Sequence, residues 1–144
     1  MLMGSELRAG LESLAEGYGL RAIYAFGSRV GEIAARLKED RGASLAPGSD
    51  VDVGVLPPWS RPLDVHEAVK LAIALEDLFD VGRVDLVLLD RADPFLAANV
   101  IRGERLFAAD EVEADEFDLY VLRRVGDLAP LERERQALVL GGAI

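Results

Sequence analysis

Ser49-Asp50-Val51-Asp52-Val53-Gly54-Val55-Leu56 alternates acidic and aliphatic residues, and Pro57-Pro58 closes the run. In an extended chain successive side chains point to opposite faces, so Val51, Val53 and Val55 share one face. Asp50 and Asp52 share the other, roughly 6–7 Å apart along the strand. The valines call for a hydrophobic core. The two carboxylates repel each other, and a fold that keeps them aimed one way compensates with a cation, typically Mg²⁺ held by one or two carboxylates together with phosphate oxygens and water. A solvated strand end would tolerate the same pair, and the spacing alone does not choose between the two readings.

Downstream, Val84-Asp85-Leu86-Val87-Leu88-Leu89 reads as a further strand with one charge among aliphatic residues. An isolated carboxylate there needs a partner or a purpose. If the strands are neighbours, Asp85 joins Asp50 and Asp52 and supplies the parts of two-metal phosphoryl transfer, in which Asp85 coordinates the nucleophile's metal or acts as its base. Upstream, residues 22–26 form a short apolar strand broken by Gly27-Ser28 ahead of a predicted helix. A residue without a side chain lets backbone approach a phosphate, and the serine hydroxyl adds a donor. Simple helix capping by Ser28 is the competing role.

The remaining pattern places these segments in a sheet. Helices are expected over residues 5–17, from Ile33 to about Asp40, over residues 63–79, and after Pro94. In the third of these the apolar face is read as Val65, Val69, Ala72, Ile73, Leu75 and Leu78. Residues 41–49 read as a loop, residues 105–108 as a short strand, and residues 112–140 as one or two helices. Strands alternating with helices predict an α/β (α+β) fold with a short mixed sheet flanked by helices. Residues 1–144 read as one domain, with a core over about 20–108 and a C-terminal helical segment over about 112–140.

With 144 residues and 51% hydrophobic content, the chain can bury an ordinary core but leaves no room for a separate substrate domain. Its formal net charge of −10 provides no footprint for extensive nucleic-acid binding. The absence of cysteine excludes a thiolate site, and the single histidine, His66, cannot build a zinc centre without many carboxylates, so any metal should be a hard cation on oxygen. No apolar run approaches the roughly 20 residues that span a bilayer, and residues 1–10 lack a signal-peptide pattern, so a cytoplasmic location is expected.

Phe26-Gly27-Ser28-Arg29, then Ser49-Asp50-Val51-Asp52-Val53, then Val84-Asp85-Leu86-Val87 resemble, as an ordered set, the minimal nucleotidyltransferases of the DNA polymerase β superfamily. The resemblance covers roughly residues 22–89. It implies a polymerase β-type fold in which Asp50, Asp52 and Asp85 are catalytic and bind Mg²⁺. Gly27, Ser28 and Arg29 would bind the triphosphate of ATP or another nucleoside triphosphate. Many such proteins pair with a helical toxin of the HEPN class, and in the better-characterised pairs the small protein acts as antitoxin and transfers AMP to a tyrosine of the toxin. The C-terminal segment around Phe117, Tyr120, Arg123 and Arg124 is similar to the terminal helix of that group, which packs beside the partner or a second subunit.

The chain departs from the pattern between the motifs. Twenty-one residues separate Ser28 from Asp50, a longer connection than the family's usual one, and Arg29-Val30-Gly31 replaces the common Arg-x-Arg-Gly. The added residues either lengthen a surface connection at modest entropic cost or reposition Ser28. Two other readings follow: a catalytically quiet antitoxin acting by occlusion, and a small-molecule nucleotidyltransferase of the aminoglycoside type. Among residues set aside, Gly4-Ser5 repeats the dipeptide without a preceding strand, and His66 has no catalytic partner in sequence. Trp59 is expected as a lid packed on the core, in preference to an aromatic that stacks on a base. Arg36, Lys38 and Arg41 are either phosphate counter-charges or solvated surface.

Overall fold

The computed structural model describes residues 4–29, 31, 33 and 50–141. In chain order the elements are α1 (Gly4–Tyr18), β1 (Ala22–Phe26), a 3-10 turn (Gly27–Arg29), β2 (Asp50–Leu56) and α2 (Val65–Phe79), followed by β3 (Arg83–Leu88), α3 (Pro94–Ile101), β4 (Glu104–Ala108) and α4 (Glu111–Gly141). The strands form one sheet in the order β3-β2-β1-β4. Strand β1 runs antiparallel to β2 and β4, while β2 and β3 are parallel. A parallel pair needs a crossover, and α2 supplies it. The expected mixed sheet flanked by helices is therefore present. Most of the predicted helix from Ile33 and the loop to Ser49 lie outside the described residues; Gly31 and Ile33 are helical.

Strand alternation sorts the core into two layers. Ile23, Ala25, Val51, Val53, Val55 and Val84 face α1 and α2, where Leu7, Leu11, Leu71, Leu75 and Phe79 are fully buried. Each such side chain contributes about 1.5–3 kcal/mol when removed from water. Tyr24, Phe26, Leu56 and Leu89 face the opposite way and pack on Ala97, Ala98 and Val100 of α3 and Val121 of α4. Gly54 sets the closeness of that second layer, because a Cβ there would stand 2.3 Å from Val100 Cγ1. Asp50, Asp52 and Asp85 belong by alternation to this second face, at the end of the sheet where β2 and β3 begin.

Helix α2 is punctuated as its sequence requires. Asp64 Oδ1 accepts from the Glu67 amide at 2.8 Å and Glu67 Oε1 from the Asp64 amide at 3.3 Å, a reciprocal cap. Its buried face, however, is Leu71, Leu75 and Phe79. Val65, Val69 and Ile73, expected inside, are more than half exposed. The helix carries two apolar stripes, and periodicity fixes their spacing but not which one meets the sheet; the longer Leu and Phe side chains fill the space over the valines of β2. Helix α4 is one helix that continues through Pro130. Asp110 caps it by accepting from the amides of Val112 and Glu113. Its first half packs through Ala114, Phe117, Val121 and Val125, whereas Leu131, Leu138 and Val139 in the second half are exposed.

Candidate active site

The register of the sheet brings together residues that lie far apart in sequence. Asp52 is the direct partner of Asp85 on β3 and of Phe26 on β1, and Asp50 is the partner of Arg83. Gly27 immediately follows Phe26 and therefore emerges beside Asp52. A Cβ at Gly27 would stand 2.4 Å from Asp52 Oδ2, and the backbone there has φ +80°. The dihedral favours glycine, and a Cβ there would force the Asp52 carboxylate to shift. Ser28 is exposed in the 3-10 turn that Arg29 closes. Gly103, at the start of β4, also presses on this end of β1, since a Cβ there would meet the Ala25 carbonyl oxygen at 2.2 Å. The three aspartates, Gly27 and Ser28 thus occupy one end of the sheet.

Charge is concentrated there without full compensation. Burial pushes the Asp52 carboxyl above the usual carboxylate range, and the negative charges of Asp85 and then Asp50 push it further in the same direction. Asp52 has no cationic partner among the described residues. Asp85 does: Arg83 Nε lies 2.9 Å from its Oδ1. Both members of that pair are well exposed, so it contributes a fraction of 1 kcal/mol, on the order of an ordinary surface pair. Arg83 escaped the sequence reading, although a basic residue two positions before Asp85 on the same strand face was its available signal.

The three carboxylates expected to bind metal stand near one another at this end of the sheet. Among the described residues, no group of three or more His, Cys, Asp or Glu side chains is gathered around a point that could hold an ion. Asp85 is paired with Arg83. The donors nevertheless suit Mg²⁺, which needs only one or two protein carboxylates and completes its shell with phosphate and water. Asp52 in particular is a desolvated carboxylate repelled by two neighbours, and a cation removes that penalty.

The remaining sequence candidates fall elsewhere. His66 is exposed in the first turn of α2, and Gly4 and Ser5 open α1. Arg36, Lys38 and Arg41 lie outside the described residues. Trp59 is not a lid on the core: it is 78% exposed, with Arg21 stacked on its ring at 3.7 Å and its Nε1 donating to Glu113 Oε1 at 2.7 Å. Its ring is fixed by charge rather than by burial. Also unforeseen is the link between β1 and α4, where buried Tyr24 donates to Asp118 Oδ1 at 2.5 Å and Arg105 braces Asp118 and Asp115.

Comparison with known proteins matches this architecture. The chain resembles a solved toxin–antitoxin structure with AMP-PNP, at 24% identity and TM-score 0.68 over 95% of this chain and 98% of that one. It likewise resembles a solved complex of a tri-AMPylated Shewanella oneidensis HEPN toxin with an MNT antitoxin, at 23% identity and TM-score 0.66 over 99% and 100% of the two chains. A solved MntA–HepT toxin–antitoxin structure aligns at 22% identity and TM-score 0.65 over 97% and 99%. At these identities the likeness is one of fold. No curated protein matches the chain significantly. A sequence model described as polymerase beta, nucleotidyltransferase, matches residues 11–112. That span runs from within α1 to the first turn of α4 and contains every residue gathered at the acidic end of the sheet, so the chain belongs to the polymerase β nucleotidyltransferase family.

Proposed function

We propose that this nucleotidyltransferase is Mg²⁺-dependent, moves AMP from ATP onto a hydroxyl of a partner protein, and acts in the cytoplasm as the antitoxin of a HEPN-type toxin. The observation that carries the reading is the approach of Gly27 to Asp52 beside Asp85, which aligns a side-chain-free turn with a cation-seeking carboxylate pair. Asp50 and Asp52 would hold Mg²⁺, which when bound neutralises triphosphate charge and lowers the pKa of the attacking hydroxyl. Gly27, Ser28 and Arg29 receive the triphosphate through backbone amides, the serine hydroxyl and the guanidinium. The acceptor oxygen forms a bond to the α-phosphorus as the bond to the β-phosphate oxygen breaks, pyrophosphate leaves, and Asp85 takes the acceptor's proton. A protein acceptor is favoured because the similar solved structures include an AMPylated HEPN toxin bound to an MNT antitoxin.

The test is transfer of label from ATP, radiolabelled at its α-phosphate, to the co-expressed product of the neighbouring gene. Wild type is compared with the Asp50→Ala/Asp52→Ala double variant. Label on the partner that disappears in the variant supports the reading. A wild type that binds both ATP and the partner yet transfers nothing would instead support neutralisation by occlusion.

A further inference from the structure

A cavity of about 520 Å³ lies on the same sheet face as the aspartates but at the other end. Its wall includes Leu56, the last residue of β2, six positions from Asp50, so the two regions stand about 20 Å apart. The floor is apolar, formed by Leu56, Leu89, Ala97 and Val121, all buried. Trp59 and Tyr120, 78% and 52% exposed, stand at its mouth. A volume of this size is typical of small-molecule sites with apolar walls and a few fixed polar groups.

Trp59 shows that the mouth is organised for contact. Arg21 stacks on its ring, Glu113 accepts from its Nε1, and Arg21 is itself held by the Pro57 carbonyl oxygen at 2.7 Å and by Glu113 at 3.3 Å. These contacts immobilise a large aromatic side chain that buries little of itself, so its apolar surface remains available to something outside the chain. The charges of the lining choose the sign of that partner. Asp90, Glu113 and Glu116 face Arg21 and Arg124. Arg21 is paired with Glu113, while Arg124 lies over the Tyr120 ring at 5.8 Å and keeps its charge, so the lining carries three carboxylates against two guanidiniums. Among the described residues, the carboxylates of Asp90 and Glu116 have no ion-pair or hydrogen-bond partner.

We infer that this cavity is a binding site for a small organic cation with an aromatic or branched apolar body, separate from the nucleotide site. The apolar floor takes the body, the rings of Tyr120 and Trp59 flank it, and Asp90 and Glu116 offset its charge. The excess of carboxylate over guanidinium in the lining disfavours a triphosphate. The inference does not depend on the acceptor or reaction proposed above.

Trp59 is the chain's single tryptophan, so its indole N–H gives one resolved resonance in a nitrogen–proton correlation spectrum. Phenethylammonium is titrated first, then phenylacetate as an anion of similar shape, then Mg²⁺-ATP. The expected result is a saturable shift with phenethylammonium and binding of phenylacetate weaker by at least about 5-fold. Tyr120→Ala should weaken both organic probes, and Glu116→Gln should narrow the difference between them. Both substitutions are on exposed helix positions, and the rest of the spectrum reports whether the fold is kept. An indole resonance that neither organic probe moves saturably, an anion that binds as well as the cation, or Mg²⁺-ATP that competes with phenethylammonium for the cavity would each overturn the inference.

Discussion

Alanine at Gly27 would impose two separable costs. The backbone there has φ +80°, and placing a residue with a Cβ in the left-handed region costs about 1–2 kcal/mol. The new Cβ would also meet Asp52 Oδ2 at 2.4 Å, while Asp52 Cγ and Cβ, at 3.4 and 3.6 Å, remain at tolerable separations. Only the carboxylate end has to move, and because Asp52 is half-buried it can rotate, so the contact adds little to the stability loss. The melting temperature should therefore fall by roughly 2–6 °C for a domain of this length. The chemical effect is larger. Clearing the contact displaces the carboxylate by about 1 Å, a misplacement expected to slow transfer by about 100-fold. Thermal melts with and without Mg²⁺-ATP, run beside single-turnover transfer to the partner, separate the two. A Gly27→Ala variant that melts lower but transfers at the wild-type rate would show that Gly27 serves the turn alone. Unchanged melting would refute the argument from the dihedral.

Three further outcomes follow from particular contacts. The Asp52 carboxyl is held above its usual range, so the folded chain binds that proton more tightly than the unfolded one; the resulting stabilisation is complete below about pH 4 and is lost as pH rises through the raised value. Asp52→Asn should therefore raise the melting temperature of the metal-free protein at neutral pH, with the gain shrinking toward pH 4, and should abolish the Mg²⁺-dependent rise that the proposed site predicts for the wild type; a lower neutral-pH melting temperature would contradict the electrostatic reading. Gly54→Ala should cost about 1–3 kcal/mol in urea unfolding, because its Cβ meets Val100 Cγ1 at 2.3 Å, and Val100→Ala should recover part of that loss in the double variant. Tyr24→Phe leaves Asp118 without its 2.5 Å donor and should cost about 1–3 kcal/mol; an unchanged urea midpoint would show that Arg105 alone satisfies the carboxylate.

The sheet was readable from sequence because strands impose a strict period of two. Once Val51, Val53 and Val55 are assigned to a core, Asp50 and Asp52 have no other face to occupy, and Gly27 follows the strand opposite them. Helix α2 shows where such reading ends. Its Val65, Val69 and Ile73 repeat as regularly as Leu71, Leu75 and Phe79, and only the volume above the sheet selects the second set. Trp59 escaped for a different reason: its partners Arg21 and Glu113 lie 38 and 54 positions away, and no local pattern announces a cation stack. The direction of the Asp85 carboxylate was equally hidden, since alternation assigns a face but not which neighbour on that face is met first. Arg83 is the side chain it meets.

The tie between Tyr24 and Asp118 makes α4 a cantilever. The helix is fixed along its first half by Ala114, Phe117, Val121 and Val125, and it extends past Pro130 with Leu131, Leu138 and Val139 exposed. A load applied to the free half is carried back to the fixed half. There the only hydrogen bond between β1 and an α4 side chain, among the described residues, is the one that Tyr24 donates to Asp118, which Arg105 on β4 braces. Tyr24 stands three residues before Gly27 on β1. The anchor point of α4 and the turn against Asp52 therefore share one short strand, so the partly exposed helix is seated on the same strand that sets the position of Gly27.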